Sequence, residues 1–177
     1  MLARQNGSQV VPAQWKDSSA LLRSLPLKRQ AAIINELVNA HRYIDDQSNW
    51  GRDDYWQTPG EFYRSGGGDC EDFAITKYEW LRTLGVPEKN LRLSVVYDAV
   101  RDLPHTILIL KTGHENLVLD NQEKTIQRAE NLTRYEPLYS INRQAWYLNE
   151  PKSSVIQTAL KSKNRKEGKL RGAAAGT

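Results

Sequence analysis

Apolar and polar positions follow a helical period in the first third of the chain. Between residues 26 and 44, apolar side chains return every three or four positions, which predicts an amphipathic helix. The buried stripe of this helix is expected to hold Ile33, Ile34, Leu37, Val38 and His41. The stretch after it, residues 50–68, is rich in aromatic residues and glycine and shows no period, so it is predicted to be a loop.

The helical period returns directly after three consecutive glycines. Asp69 is a suitable N-cap, Gly85 suits the position just past a helix end, and the residues between them predict a helix as far as Leu84. Its apolar interior consists of Phe73, Ile75, Tyr78, Leu81 and Leu84.

The pattern then changes to short, strongly apolar runs that are typical of β-strands. Strands are predicted within residues 91–100, 105–112 and 116–121, and the last two are expected to form a hairpin around the "GHE" turn. A further strand is predicted within residues 136–148. A helix followed by antiparallel strands indicates an α+β fold.

Composition and charge limit the organisation of the chain. Its 177 residues suit a single domain, which we assign to residues 1–151. Residues 152–177 form a basic tail with seven Lys or Arg and one acid, and we expect this tail to be flexible. No apolar run is long enough to cross a membrane. The tail contains no interleaved aromatic residues, so binding of nucleic acid is not expected.

Cys70 is the only cysteine in the chain, and it stands at the predicted start of a helix. Free N–H groups and the positive end of the helix dipole favour a thiolate at such a position, and a thiolate is a nucleophile. The alternative is a small buried side chain without chemical function. Carboxylates flank this thiol on both sides: Asp69 before it, and Glu71 and Asp72 after it.

A base and an orienting acid follow in the order that a catalytic triad requires. His105 opens the second predicted strand, and Asp120 ends the third. If these strands pair, both side chains lie at one end of the sheet, where they can serve Cys70. His41 and His114 are weaker candidates. A zinc site that uses Cys, His and Asp is a rival interpretation, although no CxxC or HxxxH pair supports it.

The motifs "GGGDCED" (66–72), "KY" (77–78) and "LVLDN" (117–121), with a histidine at a strand start, resemble those of the bacterial transglutaminase-like cysteine proteinases, the LapG family. This resemblance extends from about Asn39 to about Leu148. It implies a papain-like or transglutaminase-like core with the catalytic triad Cys70, His105 and Asp120. It also implies a Ca²⁺ site made by Asp69, Glu71 and Asp72. Acids beside a thiol raise its pKa, and a bound Ca²⁺ removes that penalty.

The family likeness also implies a biological role. Its members are periplasmic, Ca²⁺-dependent endopeptidases that cut a large biofilm adhesin near its N-terminus at a dialanine site. An inner-membrane cyclic-di-GMP receptor of the LapD type sequesters them. We therefore expect a periplasmic location here, although the sequence shows no export signal. The alternatives are transglutaminase or amidase chemistry on the same triad, or a binding module without catalysis.

Three smaller expectations complete the sequence interpretation. The oxyanion of the reaction is expected to be held by the Cys70 backbone N–H and by a group from the Tyr55–Trp56 segment. The aromatic residues of "WGRDDYW" (50–56) are expected to form a partner-binding surface. The terminal "AAAG" (173–176) resembles a dialanine site, so the tail is a candidate for self-cleavage.

Overall fold

The computed structural model describes residues 13–148, so the basic tail and its "AAAG" motif lie outside the described residues. Helices and strands combine in one α+β arrangement, as the sequence predicts. Five α-helices are described: α1 (Ala13–Ser24), α2 (Leu27–Asn39), α3 (Asp46–Trp50), α4 (Pro59–Ser65) and α5 (Cys70–Thr83). In the described range 13–148, no helix is long and apolar enough to cross a membrane.

A six-stranded antiparallel sheet forms the second layer, in the order β6-β5-β4-β3-β7-β8. Its strands are β3 (Leu91–Asp98), β4 (Leu103–Lys111), β5 (Asn116–Leu119), β6 (Gln127–Arg128), β7 (Tyr135–Ile141) and β8 (Trp146–Leu148). The predicted hairpin is confirmed, because β4 and β5 pair from Lys111 opposite Asn116. The single strand predicted over 136–148 is instead a hairpin of β7 and β8.

Helix α5 packs between α2 and the sheet, and its sequence explains both of its ends. Asp69 and Asp72 form a capping box at its start. Gly85 follows its last turn with φ +96°, a conformation that only glycine adopts without strain. Its apolar side chains are almost fully enclosed between the two layers: Phe73, Ala74, Ile75, Tyr78, Trp80 and Leu81. The predicted helix is therefore confirmed.

Two sequence-based expectations about the N-terminal half were wrong. The buried face of α2 is made by Ala31, Ile34, Asn35 and Val38, whereas Leu37 is 39% exposed. The predicted loop contains α4, which begins with a capping box between Thr58 and Glu61. Pro59 sits at the start of α4, where a proline favours a helix, so the loop signal of this residue was misleading.

A two-stranded parallel ladder leads the chain into α5. Strand β1 (Arg42–Tyr43) pairs with β2 (Gly67–Gly68), and the Ile44 N–H donates to the Gly68 carbonyl at 2.9 Å. A Cβ on Gly67 would stand 1.9 Å from the Arg42 carbonyl oxygen, and one on Gly68 would stand 2.3 Å from an Asp72 oxygen. The glycines are therefore needed because β1 and Asp72 pass so close to the backbone before Cys70.

Candidate active site

Cys70 is the first residue of α5, and its side chain is partly enclosed. Its thiol donates to Glu71 Oε2 at 2.9 Å. The backbone N–H of Thr106, the residue after His105 on β4, also faces the sulfur and acts to lower its pKa. Burial and the adjacent Glu71 outweigh this contribution and raise the pKa of the thiol well above its usual range. The nucleophile candidate thus lies beside the histidine strand, but its proton is held by an acid.

His105 and Asp120 are brought together at one end of the β4–β5 pair, as the sequence predicts. His105 Nε2 lies 2.8 Å from Asp120 Oδ1, and both side chains are buried. Burial opposes ionisation of Asp120, but the hydrogen bond and charge of His105 more than compensate and lower the pKa of this carboxyl. Gln122 stands on the other side of the ring, with its Nε2 atom 3.3 Å from His105 Nδ1.

The remaining histidines stay outside this arrangement. His41 follows α2, and its ring packs against Phe62 and Tyr63 with centroids 5.2 and 5.1 Å away. His114 is exposed in the turn between β4 and β5. In the described residues, the groups of side chains close enough to share a cation contain carboxylates alone, and neither Cys70 nor His105 is among them. This observation counts against the zinc interpretation.

An acidic cluster surrounds the start of α5, and it is larger than the sequence predicts. Its ligand atoms fall into two sets within 4.8 Å, one of Asp46, Asp54 and Glu71 and one of Asp46, Asp69 and Asp72. Asp46 and Asp54 were missed because they belong to an earlier segment of the chain. The available signal was the repeated acidic pair in "DDQSNWGRDD" (45–54).

The electrostatics of this cluster are those of a site for a hard cation. Burial, followed by the charges of Glu71, Asp72 and Asp46, raises the pKa of Asp69 to about 9. Burial also raises the pKa of Asp46. One oxygen on each of Asp46 and Asp69 is buried without a hydrogen-bond partner among the described residues. Buried carboxylate oxygens without donors are costly, and Ca²⁺ prefers such ligands, so the residues fit this ion.

Asp72 differs from the other acids because N–H donors already occupy both of its oxygens. Its Oδ1 atom accepts from the Gln57 N–H at 2.7 Å. Its Oδ2 atom accepts from Gln57 Nε2 at 2.6 Å and from the Asp69 N–H at 3.1 Å. Asp72 therefore joins the start of α5 to the segment before α4. The sequence interpretation also assigns Asp72 to the cation, and this stays a prediction, since an Asp72 oxygen lies within 4.8 Å of those of Asp46 and Asp69.

The aromatic residues of segment 50–56 pack in two different places. Trp50 and Tyr55 pack together with centroids 4.9 Å apart, and Trp50 is 37% exposed. Trp56 instead packs against the hydrophobic core. The Tyr55 N–H donates to Asp46, and its hydroxyl donates to Glu61 at 3.0 Å, so neither donor is free to hold an oxyanion.

Tyr43 lies beside the thiol, although no sequence pattern indicated it. It pairs with Gly68 across the β1–β2 ladder, two residues before Cys70, and remains 63% exposed. Partial burial and then the charges of Cys70 and Asp69 raise its pKa to about 12. This tyrosine therefore forms part of the exposed rim next to Cys70.

The chain is similar to a known protein family and to solved structures. Residues 12–149 match the family described as bacterial transglutaminase-like cysteine proteinase BTLCP. Calcium-bound Legionella pneumophila LapG is similar over 80% of this chain and 80% of its own, with 34% identity and a TM-score of 0.70. The EGTA-treated form of that protein matches with the same identity and TM-score, over 79% of this chain and 76% of its own. Among curated protein sequences, none matches.

Proposed function

The chain belongs to the bacterial transglutaminase-like cysteine proteinases and is a cysteine protease, and we propose that it is a Ca²⁺-dependent endopeptidase that cleaves a large cell-surface adhesin. The observation that carries this proposal is the buried pair of His105 and Asp120, which lie 2.8 Å apart. His105 is on the strand that the Cys70 thiol contacts. A nucleophile, a base and an orienting acid are the three groups that acyl transfer through a thioester needs.

Each residue of the proposed triad has a defined task. His105 takes the thiol proton at Nδ1, because Nε2 donates to Asp120. For this step Nδ1 exchanges its 3.3 Å contact with Gln122 Nε2 for the thiol. The Cys70 sulfur then attacks the scissile carbonyl, and the Cys70 backbone N–H, at the start of α5, stabilises the oxyanion. The protonated His105 passes its proton to the leaving amine. Water then hydrolyses the thioester, with His105 acting as base again, and this step restores the thiol.

The acidic cluster is the proposed Ca²⁺ site, held by Asp46, Asp54, Asp69 and Glu71. When bound, the ion supplies positive charge that offsets the crowded carboxylates beside the thiol. A Glu71 held by the ion would be less available as an acceptor for the thiol proton, which would leave that proton to His105. The buried, unpartnered oxygens of Asp46 and Asp69 support this assignment, as does the calcium-bound form of the Legionella relative.

The substrate, partner and location are proposed from the family likeness. We infer that the protein acts in the periplasm and cuts an adhesin near its N-terminus at a dialanine site. A membrane-bound cyclic-di-GMP receptor of the LapD type would sequester it when the signal is high.

The test is incubation of the protein with an N-terminal adhesin fragment that contains a dialanine, in Ca²⁺ or in EGTA. Two discrete fragments, formed in Ca²⁺ and absent with Cys70→Ala, are expected. A matched substrate in which the dialanine is replaced by two bulky residues should stay intact. An adduct of higher mass with an added amine, and no cleavage, would instead indicate a transglutaminase. Equal cleavage in EGTA would overturn the role of Ca²⁺.

A further inference from the structure

Asp120 is held from a second side by a tyrosine that the catalytic scheme does not use. Tyr135, at the start of β7, places its hydroxyl 2.6 Å from Asp120 Oδ2. Its ring also lies against the His105 ring, with centroids 5.7 Å apart and planes inclined by 40°. Asp120 thus forms a hydrogen bond with His105 through one oxygen and accepts one from Tyr135 through the other. The rings of His105 and Tyr135 also contact each other.

Arg134 determines the direction of the Tyr135 hydrogen bond. One of its terminal nitrogens lies 2.6 Å from the Tyr135 hydroxyl oxygen. A guanidinium group donates and cannot accept, so the hydroxyl oxygen must accept from Arg134. The single hydroxyl proton is then left for Asp120 Oδ2. Arg134 is itself held by Glu123 at 3.1 Å and by Asp98 at 3.8 Å.

The donors around Asp120 also determine the direction of its hydrogen bond with His105. Asp120 Oδ1 accepts from the Gln122 N–H at 2.9 Å, so its carboxylate faces donors on both oxygens. The Nε2 atom of His105 must therefore carry a proton and donate it to Oδ1, which leaves Nδ1 with a lone pair. Donation therefore converges on Asp120, from Arg134 through Tyr135 on one oxygen and from His105 on the other, and the Nδ1 lone pair faces Gln122 Nε2 at 3.3 Å.

We propose that Tyr135, supported by Arg134, is a positioning residue that fixes Asp120 and thereby the tautomer and orientation of His105. This inference rests on the proposed function, since it takes His105 as the base for Cys70. Two further charged groups lie near Asp120: Arg134, with a terminal nitrogen 3.9 Å from Oδ2, and Lys77 on α5, which is fully buried. Lys77 makes no hydrogen bond through Nζ to the described residues, so it adds charge but no direction.

The test compares Tyr135→Phe with a control of equal chemistry. Phe keeps the ring against His105 and removes only the hydroxyl. The control is Tyr63→Phe, which also removes a hydroxyl with a 2.6 Å hydrogen bond, here from Trp80 Nε1, on the other side of α5. In Ca²⁺, we expect Tyr135→Phe to lower kcat about 10- to 100-fold with KM unchanged, the range for a hydrogen bond to a charged group. Tyr63→Phe should retain the wild-type kcat.

A second measurement is independent of the substrate. Because Cys70 is the only cysteine, the rate of alkylation by iodoacetamide at pH 7, followed by mass spectrometry of the intact protein, reports on the proton transfer from Cys70 to His105. Tyr135→Phe should slow alkylation by at least about tenfold. Arg134→Met leaves Tyr135 in place but removes its donor, together with a positive charge 3.9 Å from Asp120 Oδ2, and should slow alkylation about fivefold. Arg134→Met also serves if Tyr135→Phe does not fold.

The outcomes separate this inference from the proposed function. Wild-type kcat and alkylation in both Tyr135→Phe and Arg134→Met would overturn it, as would a change in KM alone. A loss of melting temperature equal to that of Tyr63→Phe, with unchanged alkylation, would show that Tyr135 is only structural. A protein that cleaves no adhesin, yet shows slowed alkylation in Tyr135→Phe, would refute the proposed substrate and support the inference.

Discussion

The two halves of the active site are built in opposite ways. On the sheet side, His105, Asp120, Tyr135 and Arg134 form hydrogen bonds of 2.6 to 2.8 Å, and both oxygens of Asp120 accept from a donor. On the helix side, carboxylates crowd around the thiol, and two of their buried oxygens have no partner among the described residues. One half is complete within the protein alone, and the other has an excess of negative charge.

This difference indicates which half can be regulated. The base and its acid are fixed by contacts that fold with the sheet, so their geometry does not depend on an ion. The thiol instead donates to Glu71, and its pKa is raised by burial and by that same acid. Activity would then depend on the cation through the nucleophile, while the base is ready in either state. Each prediction below tests one half against the other.

The largest effect is expected from removal of the nucleophile. Cys70→Ala should abolish cleavage, a loss of at least about 10⁴-fold, while the fold and Ca²⁺ binding remain. His105→Ala should be nearly as severe, and Asp120→Asn less so, because Asp120 only orients the imidazole. Initial rates on the adhesin fragment measure these losses. If His114→Ala were the inactivating change instead, the assignment of the triad would be wrong.

The next largest effect is expected from removal of the ion. EGTA should stop cleavage, and excess Ca²⁺ should restore it. Asp69→Ala and Asp54→Asn should each reduce the increase in melting temperature that Ca²⁺ causes, because an ion bound only to the folded state stabilises that state. The matched control is Asp53→Asn, an exposed acid next to Asp54 that is outside the cluster. Equal melting temperatures of the wild type in Ca²⁺ and EGTA would contradict a cation site.

A smaller effect concerns the pH dependence of stability. The pKa of Asp69 is raised from 3.8 to about 9, so between these values the folded protein holds a proton that the unfolded chain has lost. In EGTA, the free energy of unfolding should therefore fall as the pH rises from about 4 to about 9. In Ca²⁺ the trend should weaken or reverse, since ligand carboxylates bind the ion when deprotonated. Denaturant titrations at pH 5, 7 and 8.5 measure this, and parallel curves with and without Ca²⁺ would exclude it.

The smallest effect is expected at the aromatic rim. Trp50 is partly exposed and packs on Tyr55, whose N–H donates to Asp46 of the acidic cluster. Trp50→Ala should weaken binding of the proposed cyclic-di-GMP receptor, while the rate of cleavage of a short peptide changes less than about twofold. Trp146→Ala, an exposed tryptophan on β8, is the control. Wild-type receptor affinity in Trp50→Ala would remove this surface from consideration.

The sequence predicts elements whose signals are local. Helix α5 carries its cap, its apolar period and its terminal glycine within residues 69–85, and it forms where predicted. The pairing of His105 with Asp120 follows from a short hairpin, whose register brings the two ends together. Helix α4 was missed because Pro59 and Gly60 indicate a turn, although the capping box of Thr58 and Glu61 was also present in the sequence.

Contacts between distant segments could not be predicted in this way. Asp46 reaches the acidic cluster from α3, 23 residues before Asp69, and contacts that include the β1–β2 ladder and the Gln57–Asp72 hydrogen bonds bring these segments together. Tyr135 lies 15 residues after Asp120 on a strand that pairs with β3, and nothing in its immediate sequence indicates a contact with the triad. Such residues become visible only in the folded chain.

The glycines before Cys70 have a consequence for how this protein can vary. Gly51 and Gly113 have positive φ but open space around them, so asparagine is an acceptable replacement at either position. A Cβ on Gly67 or Gly68 would stand 1.9 or 2.3 Å from backbone or buried side-chain atoms, so even alanine has no room. A saturation library should therefore lose every substitution at these two sites, including those that leave all triad and acidic residues intact. Attempts to redesign the specificity of the cleft must then keep this dipeptide and vary the rim at Tyr43 instead.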